Sequence, residues 1–74
     1  MNTVIKGTKT IEEYKQLKAY MEQRAAECYE AHKKACEHWN EGGIAKVWID
    51  KDGYLCIEYE SGEWWHYNDK GEWW

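Results

Sequence analysis

The stretch Ile44-Ala45-Lys46-Val47-Trp48-Ile49-Asp50-Lys51-Asp52-Gly53-Tyr54-Leu55-Cys56-Ile57-Glu58-Tyr59-Glu60 decides the fold. Apolar and polar side chains alternate on either side of Lys51-Asp52-Gly53, the two-residue period of half-buried strands. Two turn formers followed by glycine suit a type I turn closed by a left-handed glycine, which joins the strands as a hairpin. The same grammar returns at Glu60-Ser61-Gly62 and at Asp69-Lys70-Gly71, so residues 44–74 are expected to form a β-meander of three or four antiparallel strands. The turn type fixes the registers. Ile49 should face Leu55, Val47 face Ile57 and Lys46 face Glu58; next, Ile57 should face Trp65 and Leu55 face Tyr67; last, Tyr67 should face Trp73 and His66 face Trp74. Apolar residues then meet apolar ones, and Lys46 meets a carboxylate.

Upstream of the meander the period changes. Thr10-Ile11-Glu12-Glu13 fits a helix-opening capping box, and no glycine or proline follows before Trp39. Ile11, Tyr14, Leu17, Met21, Ala25, Cys28, Ala31, Ala35 and Trp39 form a helical apolar stripe, and Asn40-Glu41-Gly42-Gly43 supplies a glycine stop. The expected organisation is one α+β domain over residues 1–74: a loose arm (1–9), one long N-terminal helix (10–40) and the meander (44–74), with the helix packed on one sheet face. About 29 helical residues span roughly 43 Å, whereas six-residue strands span about 20 Å. Part of the stripe should therefore overhang the sheet, where either a break in the helix or a second copy of the chain would cover it. A homodimer is the favoured reading.

Composition narrows the function. In 74 residues there is little core from which to build an enclosed active site. Three cysteines make no even disulfide framework, the first ten residues lack the apolar run of a secretory signal, and no apolar run is long enough to span a membrane. A cytoplasmic location is expected. Residues 1–43 carry seven basic and seven acidic side chains, and residues 44–74 carry three basic and seven acidic ones, so the net charge of −4 lies wholly on the C-terminal half. That sign opposes direct contact with nucleic acid and favours basic protein surfaces.

The registers put Ala45, Val47, Ile49, Leu55, Ile57, Tyr59, Trp65, Tyr67 and Trp73 on the helix side. The other side receives Trp48, Cys56, Trp64, His66 and Trp74, bordered by Lys46, Tyr54 and Glu58. No further element is left to cover it, and an exposed aromatic patch marks an interaction site. Six Trp and six Tyr with no Phe suit a surface that is apolar yet wet at one edge.

Three constellations have bland readings. Cys28, His32 and Cys36 lie on one helix face, but three ligands there span about 12 Å, too far for one ion; no metal or other cofactor is expected. Cys56 and His66 face each other across strands, yet an open sheet face offers no pocket for a nucleophile and its base, so no enzyme is expected. Asp50-Lys51-Asp52-Gly53 has the wrong spacing for a calcium loop, which needs its glycine at the sixth position.

Gly62-Glu63-Trp64-Trp65-His66-Tyr67-Asn68-Asp69-Lys70-Gly71-Glu72-Trp73 resembles one hairpin of the choline- and cell-wall-binding repeats, with Trp64 at the place of the ligand-facing aromatic. That resemblance implies a small-ligand, glycan or choline-binding module. The chain as a whole is similar in type, though not by any motif, to the small acidic proteins of phages and mobile elements known as anti-CRISPR proteins. This implies a non-catalytic inhibitor or adaptor that binds a basic surface of a nucleic-acid-handling protein. Trp48, Trp64, His66 and Trp74 would anchor such a partner, and Asp50, Asp52, Asp69 and Glu72 would steer it.

Overall fold

A computed structural model describes residues 2–74; the first residue of the expected arm lies outside them. Helix α1 (Ile11–Ala35) packs on a four-stranded sheet of β1 (Asn2–Thr3), β2 (Ile44–Ile49), β3 (Leu55–Tyr59) and β4 (Trp64–Tyr67), in that spatial order. The fold is α+β with an N-terminal helix, as expected.

The meander follows its expected registers. Lys46 pairs with Glu58, Val47 with Ile57, Ile49 with Leu55, Ile57 with Trp65 and Leu55 with Tyr67. The third hairpin is reduced to a single bridge, Tyr67 to Trp73. All three turns are built alike at nine-residue intervals. Asp50 N–H donates to Tyr54 O and Gly53 N–H to Asp50 O; Tyr59 and Gly62, then Asn68 and Gly71, repeat both bonds. Gly53 has φ +88°, a backbone conformation that side chains other than glycine's resist. One irregularity falls at the start of β2, where a bulge shifts the register between Ile44 and Lys46.

Three expectations are corrected. Residues 2 and 3 are not part of a loose arm: β1 pairs with β2 in parallel, Asn2 opposite Lys46 and Thr3 opposite Val47, which makes the sheet mixed. Val4 N–H continues the ladder to Val47 O, and Thr3 Oγ1 donates to Glu22 of the helix at 2.7 Å. The unpaired edge of β2 is thereby partly satisfied. The helix, second, stops at Ala35 and not near residue 40. From Cys36, in extended conformation, the chain doubles back, so that the Trp39 ring meets Tyr59 edge-on at 4.9 Å and Tyr29 at 5.8 Å, while its Nε1–H donates to Gly42 O. One more helical turn would carry Trp39 away from these rings, and burying a large aromatic outweighs the few bonds of a helix end. At the other end Thr10 caps the helix by accepting from Glu13 N–H, as read, but Glu13 reaches back to Lys9 N–H and not to the cap residue itself.

Met21, Ala25, Cys28 and His32 form the buried stripe of α1 and meet Val47, Ile57, Tyr59 and Tyr67 of the sheet. Fully burying Val47 and Ile57 contributes about 1.5–3 kcal/mol each. The helix is unbroken, and its first turns overhang the sheet: Ile11 is 75% exposed, with Tyr14 also open to solvent.

The core contains a polar chain that the stripe did not anticipate. His32 Nδ1 lies 2.8 Å from the Tyr67 hydroxyl, which lies 2.7 Å from the Tyr59 hydroxyl. Trp65 (4.8 Å, edge-on) and Trp73 (4.4 Å, stacked) flank the imidazole. Burial lowers the pKa of His32, with Glu41 opposing weakly, and raises that of Tyr67; both are neutral. Each hydroxyl and Nδ1 is satisfied by another, which is what makes burial of three polar groups tolerable.

Candidate functional site

The pleat sends Trp65 and Trp73 to the helix side and their neighbours Trp64 and Trp74 to the other. On that outer face Trp48, Cys56, His66 and Trp74 form one transverse row: Trp48 pairs with Cys56, Cys56 with His66, and His66 exchanges both backbone bonds with Trp74. Lys46, Glu58 and Trp64 form the next row.

The rings touch in sequence across the whole face. Trp48 and Trp64 reach over the intervening strand to 5.4 Å between centroids. Trp64 lies 4.9 Å from the His66 ring, His66 stacks on Trp74 at 5.1 Å with the planes 2° apart, and Tyr54 meets Trp74 edge-on at 4.9 Å. Lys46 Nζ sits 5.3 Å from the Trp48 ring, a cation–π contact that closes one end of the belt. Trp64 is 48% and Trp74 50% exposed, and Tyr54 is exposed beside them. Among the described residues no second layer lies over this face. Beside it, where the chain leaves β2 after Val4, a groove of 370 Å³ runs between Val4, Ile5, Leu17, Met21, Trp48 and Ile49.

Cys56 is the small residue of the row and is fully buried under its larger neighbours. Burial, with the nearby Asp50 charge adding to it and a backbone hydrogen bond from Asp50 opposing, pushes its thiol up to about 11; Sγ also has a long contact to Tyr54 O at 3.7 Å. A thiol this protonated and this enclosed is a poor nucleophile.

The expected site residues divide into three groups. Trp48, Trp64, His66 and Trp74 come together as read. Asp52 and Glu72 are exposed in turns, Glu72 accepting from Asn68 Nδ2 at 2.8 Å; Asp69 is also exposed, but it leans to the helix side, 4.0 Å from Arg24. Asp50 stands apart. Its Oδ1 accepts from the amides of Asp52 and Tyr54 at 2.9 Å each, and its Oδ2 lies 3.5 Å from His66 Nε2. With only 19% of its side chain exposed, it is a structural member of the aromatic face and not a free steering charge. Tyr54, read as a border residue, is part of the belt through Trp74.

Comparison with protein-family models, with curated proteins and with solved structures finds no match for this chain. Among the described residues no helix is long and apolar enough to cross a membrane.

Proposed function

We propose that this chain is a cytoplasmic, non-catalytic binding protein that docks its aromatic face onto a basic surface of a nucleic-acid-handling protein, as an inhibitor of the anti-CRISPR type. The observation that carries the reading is the continuous ring belt from Trp48 to Tyr54, which leaves Trp64 and Trp74 half exposed with nothing from the described chain above them. Rigid aromatics bring large contact area at little entropic cost, the property of interface anchors. Residues 44–74 carry the acidic excess, with Asp52 and Glu72 exposed in the turns, and charge of that sign speeds approach to a positive surface. Burial of the Cys56 thiol argues against nucleophilic chemistry on this face. The overhanging Ile11 and Tyr14 give a second copy of the chain a place to pack away from the docking face.

The test is affinity capture from nuclease-treated bacterial lysate, with the wild-type chain and an Asp52→Asn/Asp69→Asn/Glu72→Gln variant. A captured protein that is released by added salt and bound more weakly by the variant is the expected result. Equal capture by the two chains at every salt concentration rejects electrostatic docking. Competition by choline or a soluble glycan, with no salt effect, would turn the reading to a small-ligand module.

A further inference from the structure

Asp50, Cys56 and His66 come from the end of β2, from β3 and from β4, and converge under the aromatic belt. One donor atom from each lies within 4.8 Å of the others. We propose that these three side chains bind a single divalent cation of borderline character, zinc or cobalt, through Asp50 Oδ2, Cys56 Sγ and His66 Nε2, with water in the fourth position. From sequence no metal is expected, because Cys56 and His66 are weighed only as sheet partners of the helical Cys28, His32 and Cys36, and Asp50 is counted among the acidic turn residues.

The hydrogen bonds around the cluster select the donor atoms. Asp50 Oδ1 is occupied by two backbone amides, so Oδ2 is the oxygen left to face inward. His66 Nδ1 lies 3.3 Å from Trp74 O. A carbonyl only accepts, so with Nδ1–H donating to it Nε2 is the ring nitrogen left to hold an ion. Nε2 lies 3.5 Å from Asp50 Oδ2, close enough for one positive charge to hold both. A proton on Nε2 could do so for the pair alone. The third corner favours a metal, because Sγ of a fully buried cysteine, a soft donor, also reaches the cluster.

The dimensions and ligand types agree. Metal–ligand bonds of about 2.0–2.3 Å in a tetrahedron put ligand atoms about 3.3–3.8 Å apart. The Asp50–His66 separation is already in that range, and the widest gap closes with side-chain motion of about 1 Å. A thiolate, an imidazole and a carboxylate together suit zinc or cobalt and not a hard cation such as magnesium. A backbone carbonyl orienting the far nitrogen of a histidine ligand is the usual outer-shell arrangement, and stacking on Trp74 fixes the ring plane. Asp50 and His66 are 19% and 26% exposed, so an ion and its water have a way in, whereas an organic substrate has no route to the enclosed Sγ. On binding, the Cys56 thiol loses its proton to solvent and the metal takes its place.

The experiment is titration of the full chain, reduced and metal-free, with cobalt(II) chloride. A thiolate-to-cobalt charge-transfer band that saturates at one ion per chain and is displaced by zinc chloride is expected. Cys56→Ser should abolish the band. His66→Gln should weaken binding by well over the roughly 10–100-fold that loss of an outer-shell partner costs. Cys28→Ser/Cys36→Ser should leave it intact. Circular dichroism establishes that each variant is folded; if Cys56→Ser is not, the His66→Gln titration decides. Absence of the band under excess cobalt, its persistence in Cys56→Ser, full affinity in His66→Gln, or its loss in the helical double variant overturns the proposal.

Discussion

Deleting one oxygen from the core should have a larger effect than deleting its neighbour. Tyr67 is the middle member of the chain His32–Tyr67–Tyr59, and its hydroxyl bonds to both of the others. Tyr67→Phe leaves two buried polar groups unpaired, His32 Nδ1 and the Tyr59 hydroxyl, in residues at most 3% exposed. At about 1–3 kcal/mol for each of the two stranded groups, the loss should be about 2–6 kcal/mol. Tyr59→Phe strands none, because Tyr67 still bonds to His32; it removes one hydrogen bond, worth about 1 kcal/mol. A domain of this size has total stability of roughly 4–11 kcal/mol, so the first change threatens folding and the second does not. Urea unfolding followed by tryptophan fluorescence measures both. With a slope of about 1 kcal/mol/M, the Tyr67→Phe midpoint should fall by about 2–6 M and the Tyr59→Phe midpoint by about 1 M. Equal midpoints, or a larger fall for Tyr59→Phe, would refute the assignment of Tyr67 as the shared partner.

Two further outcomes test the packing and the ionisation of the core. Gly42 has φ +79°, and a Cβ there would lie 3.0 Å from Glu60 Cβ and Oε1; Glu60 also accepts from Gly43 N–H. Gly42→Ala should cost more than the about 1–2 kcal/mol of left-handed strain alone, and more than Gly53→Ala, whose Cβ would meet nothing; thermal melts of the two variants check this. The pH profile should fall on both sides. His32 is held neutral by burial, so below pH about 6.5 the unfolded chain binds a proton that the folded chain refuses, and stability drops as pH falls. Tyr59 is pushed up by burial from 10.0 to about 12, so above pH 10 the unfolded phenol ionises first and stability drops as pH rises. Urea midpoints across pH measure both limbs, and His32→Gln should flatten the acid one.

The sequence was legible where structure is set locally. Alternation and the repeated turn grammar gave the registers of residues 46–67, because a one-residue slip would have turned every apolar side chain outward. The outer belt followed from the same alternation. What stayed hidden depends on distant partners. Asn2 and Thr3 are too short a run to read as a strand and become one only by pairing with Lys46 and Val47. Trp39 sits on a good helical stripe, and only the position of Tyr59 explains why the helix stops short of it. Asp50 looks like any acidic residue before a turn glycine; its capture by two amides is local to the turn, but its contact with His66 needs three strands in register at once. A trace was present, since the registers that paired Cys56 with His66 already put residue 50 at the end of the neighbouring strand.

The central claim is that the aromatic face is where a partner protein docks. Its most direct test is hydrogen exchange and capture with Trp64→Ala/Trp74→Ala, a change confined to two half-exposed rings. The account predicts that the variant keeps the exchange protection of the core strands, and that it loses the nuclease-resistant partner which the wild-type chain retains from lysate. Retention of the same partner by a folded variant would contradict it.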